Sequence, residues 1–337
     1  MGAEHSRPRL QPHSDPDAAP VLEPGHLDAL WFQVTGTRCN LRCAHCFISC
    51  APENDAFEPL SLEAVERRLE ESVALGVREY YFTGGEPFLH PRIVDILSRA
   101  LEYGPTTVLT NGTLLKPRHV EPLAAAAAAS RWSLEFRLSL DGFDARSNDA
   151  LRGTGSFDRA ITGLELLLSH GFLPIVTAVE TWDPASASEV HRRLVEILKT
   201  RGYTRPRIKM MPALRIGAEA GRSGGYGEHD RVTNEILERY DLGQLVCSHG
   251  RVVTDRGIWV CPILLDAPDG DLGDDLARAA EAPFALRHAA CHTCWLHGAI
   301  CSNPGSAAPE SAIRPESAIG PAPAIGPAPA ALDGVST

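Results

Sequence analysis

The chain has 337 residues and a formal net charge of −11, with 44% hydrophobic and 22% charged residues, which is a globular composition large enough for two domains. The acidic balance argues against bulk electrostatic binding of nucleic acid or anionic membrane. No apolar run is long enough to span a bilayer, and Met1 to Pro20 lacks the basic-then-apolar layout of a signal peptide, so a cytoplasmic location is expected.

Both ends read as unstructured. Residues 1–25 are rich in Pro, His, Asp and Arg without periodicity, and 303–337 are Ala, Pro, Gly and Ser with a repeated Ala-Ile-Gly-Pro-Ala-Pro. Trp31 to Thr35 predicts a buried strand. Ser61 caps a helix with Leu62, Val65, Leu69 and Val73 on one face, and Gly76 stops it. Val77 to Thr83 is the next strand, Ile93 to Leu101 a helix, Thr106 to Thr110 a strand, and Leu123 to Ala129 a helix whose alanine run predicts a tight packing face. Ser133 to Leu140, Leu173 to Glu180 and Arg207 to Met211 predict strands, with helices over Phe157 to Ser169 and Val190 to Leu198 between them. Such alternation calls for an α/β fold with a parallel sheet, either an open barrel or a doubly wound sheet, with its ligand at the carboxyl ends of the strands.

Residues 26–216 would form this core. The glycine-rich stretch 217–245 reads as a linker followed by a helix at about Asp230 to Tyr240. Residues 246–302 would then be a small second domain: a hairpin of Arg251 to Thr254 and Ile258 to Val260 turned at Arg256-Gly257, and a helix near Asp274 to Ala282. So short a region needs a staple.

Nine cysteines in a chain expected to be reduced point to metal ligation or buried thiols rather than disulfides. Cys39, Cys43 and Cys46 sit in the loop after the first strand, at spacings that wrap one corner of an iron–sulfur cubane and leave its fourth iron open. The same spacing fits a structural zinc loop with Cys50 or His45 as fourth ligand. Cys247 and Cys261 bracket the hairpin, and Cys291-His-Thr-Cys294 completes a four-thiolate set suited to a closed [4Fe–4S] cluster or to zinc. Cys50 and Cys301 are left over as plain thiols, with Cys301 able to stand in for one of the four.

With Gly84-Gly85-Glu86-Pro87, Thr110-Asn111-Gly112 and Ser139-Leu140-Asp141-Gly142 each following a predicted strand, the Cys39-x3-Cys43-Ala-His45-Cys46 loop resembles the radical S-adenosylmethionine superfamily. The resemblance covers about 30–215 and implies a partial (β/α)6 TIM-like barrel. It also implies a [4Fe–4S] cluster on Cys39, Cys43 and Cys46 that binds S-adenosylmethionine. Gly84, Gly85, Glu86 and Pro87 would hold the methionine amino group, His45 would lie against the adenine, and Asn111, Ser139 and Asp141 would complete the cofactor site. Glu86 offers an ammonium group a charged acceptor, and the glycines let backbone approach a ligand.

The C-terminal cysteines resemble the Twitch form of the SPASM domain, which carries one auxiliary [4Fe–4S] cluster. That implies a small-molecule oxidoreductase of dehydrogenase type, fed by flavodoxin or ferredoxin. The alternatives are a maturase of ribosomal or sulfatase-type peptides, and a non-catalytic iron–sulfur or zinc protein. The molybdenum-cofactor cyclase branch resembles the chain poorly, since that branch needs only three auxiliary cysteines and ends in Gly-Gly, whereas this chain ends in Val-Ser-Thr. Isolated polar residues near strand ends, Arg137, Glu180, Lys209 and His249, name no general base.

Overall fold

The computed structural model describes residues 7–12, 15, 18–298 and 300. Cys301 and the Ala/Pro-rich stretch 303–337 lie outside the described residues. In chain order the strands are β1 (Arg9–Leu10), β2 (Val21–Glu23), β3 (Ala29–Gln33), β4 (Glu79–Thr83), β5 (Thr106–Thr110), β6 (Leu134–Ser139), β7 (Ile175–Glu180), β8 (Arg207–Pro212), β9 (Gly250–Thr254), β10 (Gly257–Trp259) and β11 (Phe284–Ala285). The helices are α1 (Leu62–Ala74), α2 (Ile93–Ala100), α3 (Pro117–Ala129), α4 (Ala145–Arg152), α5 (Ser156–Ser169), α6 (Ala187–Thr200), α7 (Gly217–Ser223), α8 (Asn234–Leu237), α9 (Leu276–Glu281) and α10 (Ala289–His297). None is long and apolar enough to cross a membrane.

An eight-stranded sheet runs in the order β10-β9-β3-β4-β5-β6-β7-β8. From β3 to β8 every pairing is parallel and every strand neighbours its successor. A doubly wound sheet reverses its strand order at a switch point; this sequence of strands never does, and it matches the order of an opened barrel. Local signals set the crossovers. Ser61 Oγ accepts from Ala64 N at 3.1 Å to start α1. At its end Gly76, with φ +69°, lets Val77 N return to Ser72 O at 3.2 Å.

Period-two alternation sends side chains to two faces. Leu30, Phe32, Phe82, Phe136 and Leu138 join Leu69, Ile96, Leu97, Leu123, Leu164 and Leu194 of the helices in one core. Trp31 and Tyr81, stacked 4.2 Å apart, face the other way and join Val252, Trp259 and the cysteines in a second. Burial on both faces explains why β3 reads as an unbroken apolar run.

Four expectations need correction. The N-terminal segment is ordered where described: β2 pairs antiparallel with both β1 and β11, and Leu22 is 1% exposed. Too few apolar residues occur there to form a core, but Leu22 borrows one from the C-terminal region. The hairpin β9–β10 does not stand apart, because β9 pairs parallel with β3 and extends the main sheet. The stretch after residue 216 forms helix α7, and the expected helix over Asp230 to Tyr240 shrinks to α8, a single turn capped by Thr233. In α3 the buried anchors are Val120 and Leu123; Ala124, Ala126 and Ala127 pack against the same core while Ala125, Ala128 and Ala129 face solvent, so only half of the alanine run is a packing face.

Candidate functional site

The loop after β3 carries Cys39, Cys43, Cys46 and Cys50. Cys39 and Cys50 are buried and the other two half-buried. Three backbone or amide donors point at these sulfurs: Leu41 N at 3.4 Å and Asn111 Nδ2 at 3.8 Å from Cys39 Sγ, and Cys50 N at 3.3 Å from Cys46 Sγ. Burial pushes the Cys39 thiol up to about 12, against the Leu41 hydrogen bond, and neighbouring Glu86, Cys43 and Cys46 push it further the same way. Burial also raises Cys43, while the Arg152 charge opposes. Cys46 is held down, to about 6, chiefly by the hydrogen bond from the Cys50 thiol, which is correspondingly raised. Cys39 and Cys43, whose ionisation a compensating cation would favour, stand beside Cys46, already favoured as a thiolate, and with amide donors aimed at the sulfurs this donor set suits an iron–sulfur cluster.

Gly85 and Glu86 hold the loop by backbone pairing, Gly85 N to Gly36 O at 3.0 Å and Glu86 N to Arg38 O at 3.1 Å. A Cβ on Gly85 would stand 2.0 Å from Arg38 O, and one on Gly84 2.1 Å from Thr35 Oγ1. The glycines thus admit the protein's own cysteine loop, a reason the motif alone does not disclose. Glu86 is fully buried and accepts from Thr110 Oγ1 at 2.6 Å, Asn111 N at 2.7 Å and Phe88 N at 3.0 Å. Its carboxylate therefore stitches the ends of β4 and β5 together, a task beyond the ammonium acceptor expected of it. Pro87 opens the short 3-10 turn that Glu86 caps. Asn111 continues the seam, its Nδ2 donating to Asn40 Oδ1 at 2.9 Å inside the cysteine loop.

His45 and Asp141, expected as separate cofactor contacts, meet: His45 Nε2 lies 2.9 Å from Asp141 Oδ2. Arg152 Nε donates to the same oxygen at 2.5 Å and Val179 N to Oδ1 at 2.7 Å. Burial opposes ionisation of Asp141, but the Arg152 charge and the His45 hydrogen bond outweigh it and hold the carboxyl well below its usual range. The other imidazole nitrogen, His45 Nδ1, is buried with no hydrogen-bond partner, an opening for a ligand to fill. Ser139 is half-buried at the end of β6.

Sequence reasoning missed Arg152. It ends helix α4, is buried, and its guanidinium acts on both Cys43 and Asp141. Its signal was the Asp144 cap three residues ahead of Ser147, the start of a helix short enough to pass for a loop. Also missed was the start of α7. Ala218 N donates to Cys46 O at 3.0 Å, and Gly217, at φ +57°, leaves no room for a Cβ, which would fall 2.3 Å from Phe47 O. The supposed linker closes on the cysteine loop. Of the isolated polar residues, Arg137 is buried over the Tyr81 ring at 5.2 Å and Glu180 is exposed.

Four of the C-terminal cysteines lie around one cavity. Cys247, Cys261, Cys291 and Cys294 line this small apolar cavity, walled by Leu245, Ile263, Leu264 and Phe284 among others. Cys291 and Cys294 share a face of α10. Burial raises all four thiols, Cys294 to about 12, and Cys247 and Cys291 are raised further by their neighbours. The two sets lie at opposite ends of paired strands: Cys39 follows the carboxyl end of β3, and Cys247 precedes the amino end of β9. Five residues of strand separate those ends, roughly 15 Å.

Comparison with known proteins places these features. The model of the radical SAM superfamily matches residues 34–181. The antilisterial bacteriocin subtilosin biosynthesis protein AlbA of Bacillus subtilis is 34% identical over 136 residues, which are 40% of this chain and 29% of that one. GTP 3',8-cyclase 1 of Pseudomonas aeruginosa is 30% identical over 219 residues, 64% of each chain. The chain thus spans less than two-thirds of either relative, and the likeness to a cyclase is broader than the cysteine pattern led us to expect. Among solved structures, Streptococcus suis SuiB bound to S-adenosylmethionine superposes with a TM-score of 0.59 at 19% identity, covering 77% of this chain and 67% of that one, a likeness of fold.

Proposed function

We propose that the chain, whose residues 34–181 match the model of the radical SAM superfamily, reductively cleaves S-adenosylmethionine and oxidises a substrate C–H group. The observation that carries the reading is the placement of two thiol sets at opposite ends of β3 and β9, one of three thiols with Cys50 beside it and one of four. When bound, a [4Fe–4S] cluster on Cys39, Cys43 and Cys46 supplies an electron from a flavodoxin or ferredoxin to the sulfonium, which releases methionine and a 5'-deoxyadenosyl radical.

The chain's own residues position and exclude. Asn111, Glu86 and the Gly85 backbone fix the cysteine loop against the ends of β4 and β5. Asp141 and Arg152 set a fixed pair of opposite charges beside Cys43, suited to the zwitterionic methionine group. His45, pinned through Nε2, presents Nδ1 to the bound nucleoside. Cys247, Cys261, Cys291 and Cys294 would hold an auxiliary [4Fe–4S] cluster, which would supply a one-electron acceptor for the substrate once a hydrogen atom has gone to 5'-deoxyadenosine and a proton to solvent.

A small-molecule substrate is supported by the longer of the two curated matches, that to the GTP cyclase. A peptide substrate is the second reading, favoured by the higher identity to AlbA, a bacteriocin biosynthesis protein. Anaerobic reconstitution tests the reaction. The expected result is about eight irons per chain, for two four-iron clusters, and 5'-deoxyadenosine on adding dithionite and S-adenosylmethionine. Cys43→Ala should abolish cleavage, while Cys291→Ala should keep cleavage and stall substrate turnover. Bound zinc without cleavage would establish a non-catalytic metal protein instead.

A further inference from the structure

Arg251 is 1% exposed, on β9, with its guanidinium hydrogen-bonded to the backbone of Cys247, the first residue of the second thiol set. Five hydrogen bonds satisfy it, all to backbone carbonyls: Nε to Ala279 O at 2.7 Å, Nη1 to Cys247 O and Gly250 O at 2.7 Å each, and Nη2 to Ala280 O at 3.3 Å and Ala282 O at 3.2 Å. Among the described residues no Asp or Glu makes a salt bridge with it; Arg68, Arg137 and Arg152, the other buried arginines, each have an acid within reach. A buried cation without a counterion is costly, and carbonyl dipoles offset only part of that cost. Among groups able to carry negative charge, Cys247 is tied to it through its own carbonyl at 2.7 Å, and the Cys247 and Cys261 charges both act on it.

We infer that Arg251 is the built-in counter-charge of the auxiliary cluster and raises its reduction potential, so that it accepts the electron left on the substrate. The inference rests on the reading that Cys247, Cys261, Cys291 and Cys294 hold such a cluster. Four thiolates around a cubane carry net negative charge, and each reduction adds another. A fixed positive charge in a low-dielectric wall stabilises the reduced form more than the oxidised form, and with the guanidinium held by five acceptors it cannot turn away. A merely structural role, capping the C-terminal carbonyls of α9, would account for three of the hydrogen bonds but not for those to Cys247 and Gly250, which tie the charge to the second thiol set.

The test is a potentiometric titration of the reconstituted two-cluster protein, followed by EPR, with wild type, Arg251→Met and Arg251→Lys. The auxiliary cluster of Arg251→Met should titrate at a more negative potential, that of Arg251→Lys should stay near wild type although the protein is less heat-stable, and the cluster on Cys39, Cys43 and Cys46 should be unmoved in both. Equal auxiliary potentials in wild type and Arg251→Met, both fully loaded, would overturn the inference. Should Arg251→Met fail to fold, Arg251→Gln carries the test: a more negative auxiliary potential supports the counter-charge, and an unchanged one refutes it. A wild type that never loads a second cluster would instead refute the auxiliary-cluster reading itself, an outcome that iron content separates from the others.

Discussion

His45 Nε2 and Asp141 Oδ2 lie 2.9 Å apart inside the domain, and the same carboxylate oxygen takes the Arg152 guanidinium. This places a loop residue from the end of β3, a residue following β6 and the last residue of α4 around one buried charge. Removing one partner strands the others. Asp141→Asn should destabilise the metal-free protein by about 3 kcal/mol, because Arg152 keeps its charge and loses its counterion. Adding Arg152→Met should recover part of that loss, since a double-mutant cycle isolates the pair. Urea unfolding of the four proteins checks it; strictly additive losses would mean that the pair is not coupled.

Gly85 is the residue on which the cysteine loop rests. With a Cβ only 2.0 Å from Arg38 O and 2.7 Å from Cys39 N, Gly85→Ala has to push the loop outward, and the obstruction is backbone, which cannot swing aside. The expected cost is about 3 kcal/mol. Iron on the first thiol set should fall sharply while the second set still loads, because the contact is confined to Arg38 and Cys39. Iron analysis of Gly85→Ala in a Cys291→Ala background reads the first set alone, and full loading there would refute the steric argument.

The parallel core was legible because its signals are local. Ser61 and Gly76 bound α1, and apolar runs mark β3, β5 and β6 within a residue or two of their observed ends. Motif positions after strands were legible for the same reason. What escaped was long-range. Nothing near Leu22 in the sequence reveals that its partner is Phe284, and nothing near Gly217 reveals that Phe47 O fills the space beside it. The tie between His45 and Asp141 was hidden too, because each residue carries a plausible solitary role and only the folded sheet brings them together.

Leu22 tests the part of the chain that composition misread. Its side chain is buried in the cluster that holds Phe284, Cys261 and Cys291, and β2 bridges β1 to β11. Leu22→Ala should cost about 3 kcal/mol, the range for a truncated buried leucine. The half-buried Leu10 on β1 should cost less when cut to alanine. Thermal unfolding with iron analysis checks both, with iron lost from the second thiol set first. A loss under about 1 kcal/mol for Leu22→Ala would return the N-terminal segment to the status of a peripheral tail.

Glu86 gives a pH signature whose sign follows from its burial. Desolvation raises its carboxyl from 4.5 to about 6, against the hydrogen bonds from Thr110, Asn111 and Phe88. A carboxyl raised on folding binds its proton more tightly in the native state. Its contribution therefore favours the fold most below the unfolded value, declines as pH rises from 4.5 to about 6, and is a constant penalty above that. The size is about 2 kcal/mol, from the shift at 1.36 kcal/mol per unit. Glu86→Gln has no proton to lose, so the stability of the metal-free wild type relative to Glu86→Gln should fall by that amount across this window and then level off. Asp141 does not blur the result. Its folded value is depressed, so its stabilising contribution is complete above the unfolded value near 3.8 and is lost only as pH falls below it. A difference between wild type and Glu86→Gln that stays constant from pH 4.5 to 7 would mean that Glu86 titrates normally, and that the carboxylate joining β4 to β5 is reached by water.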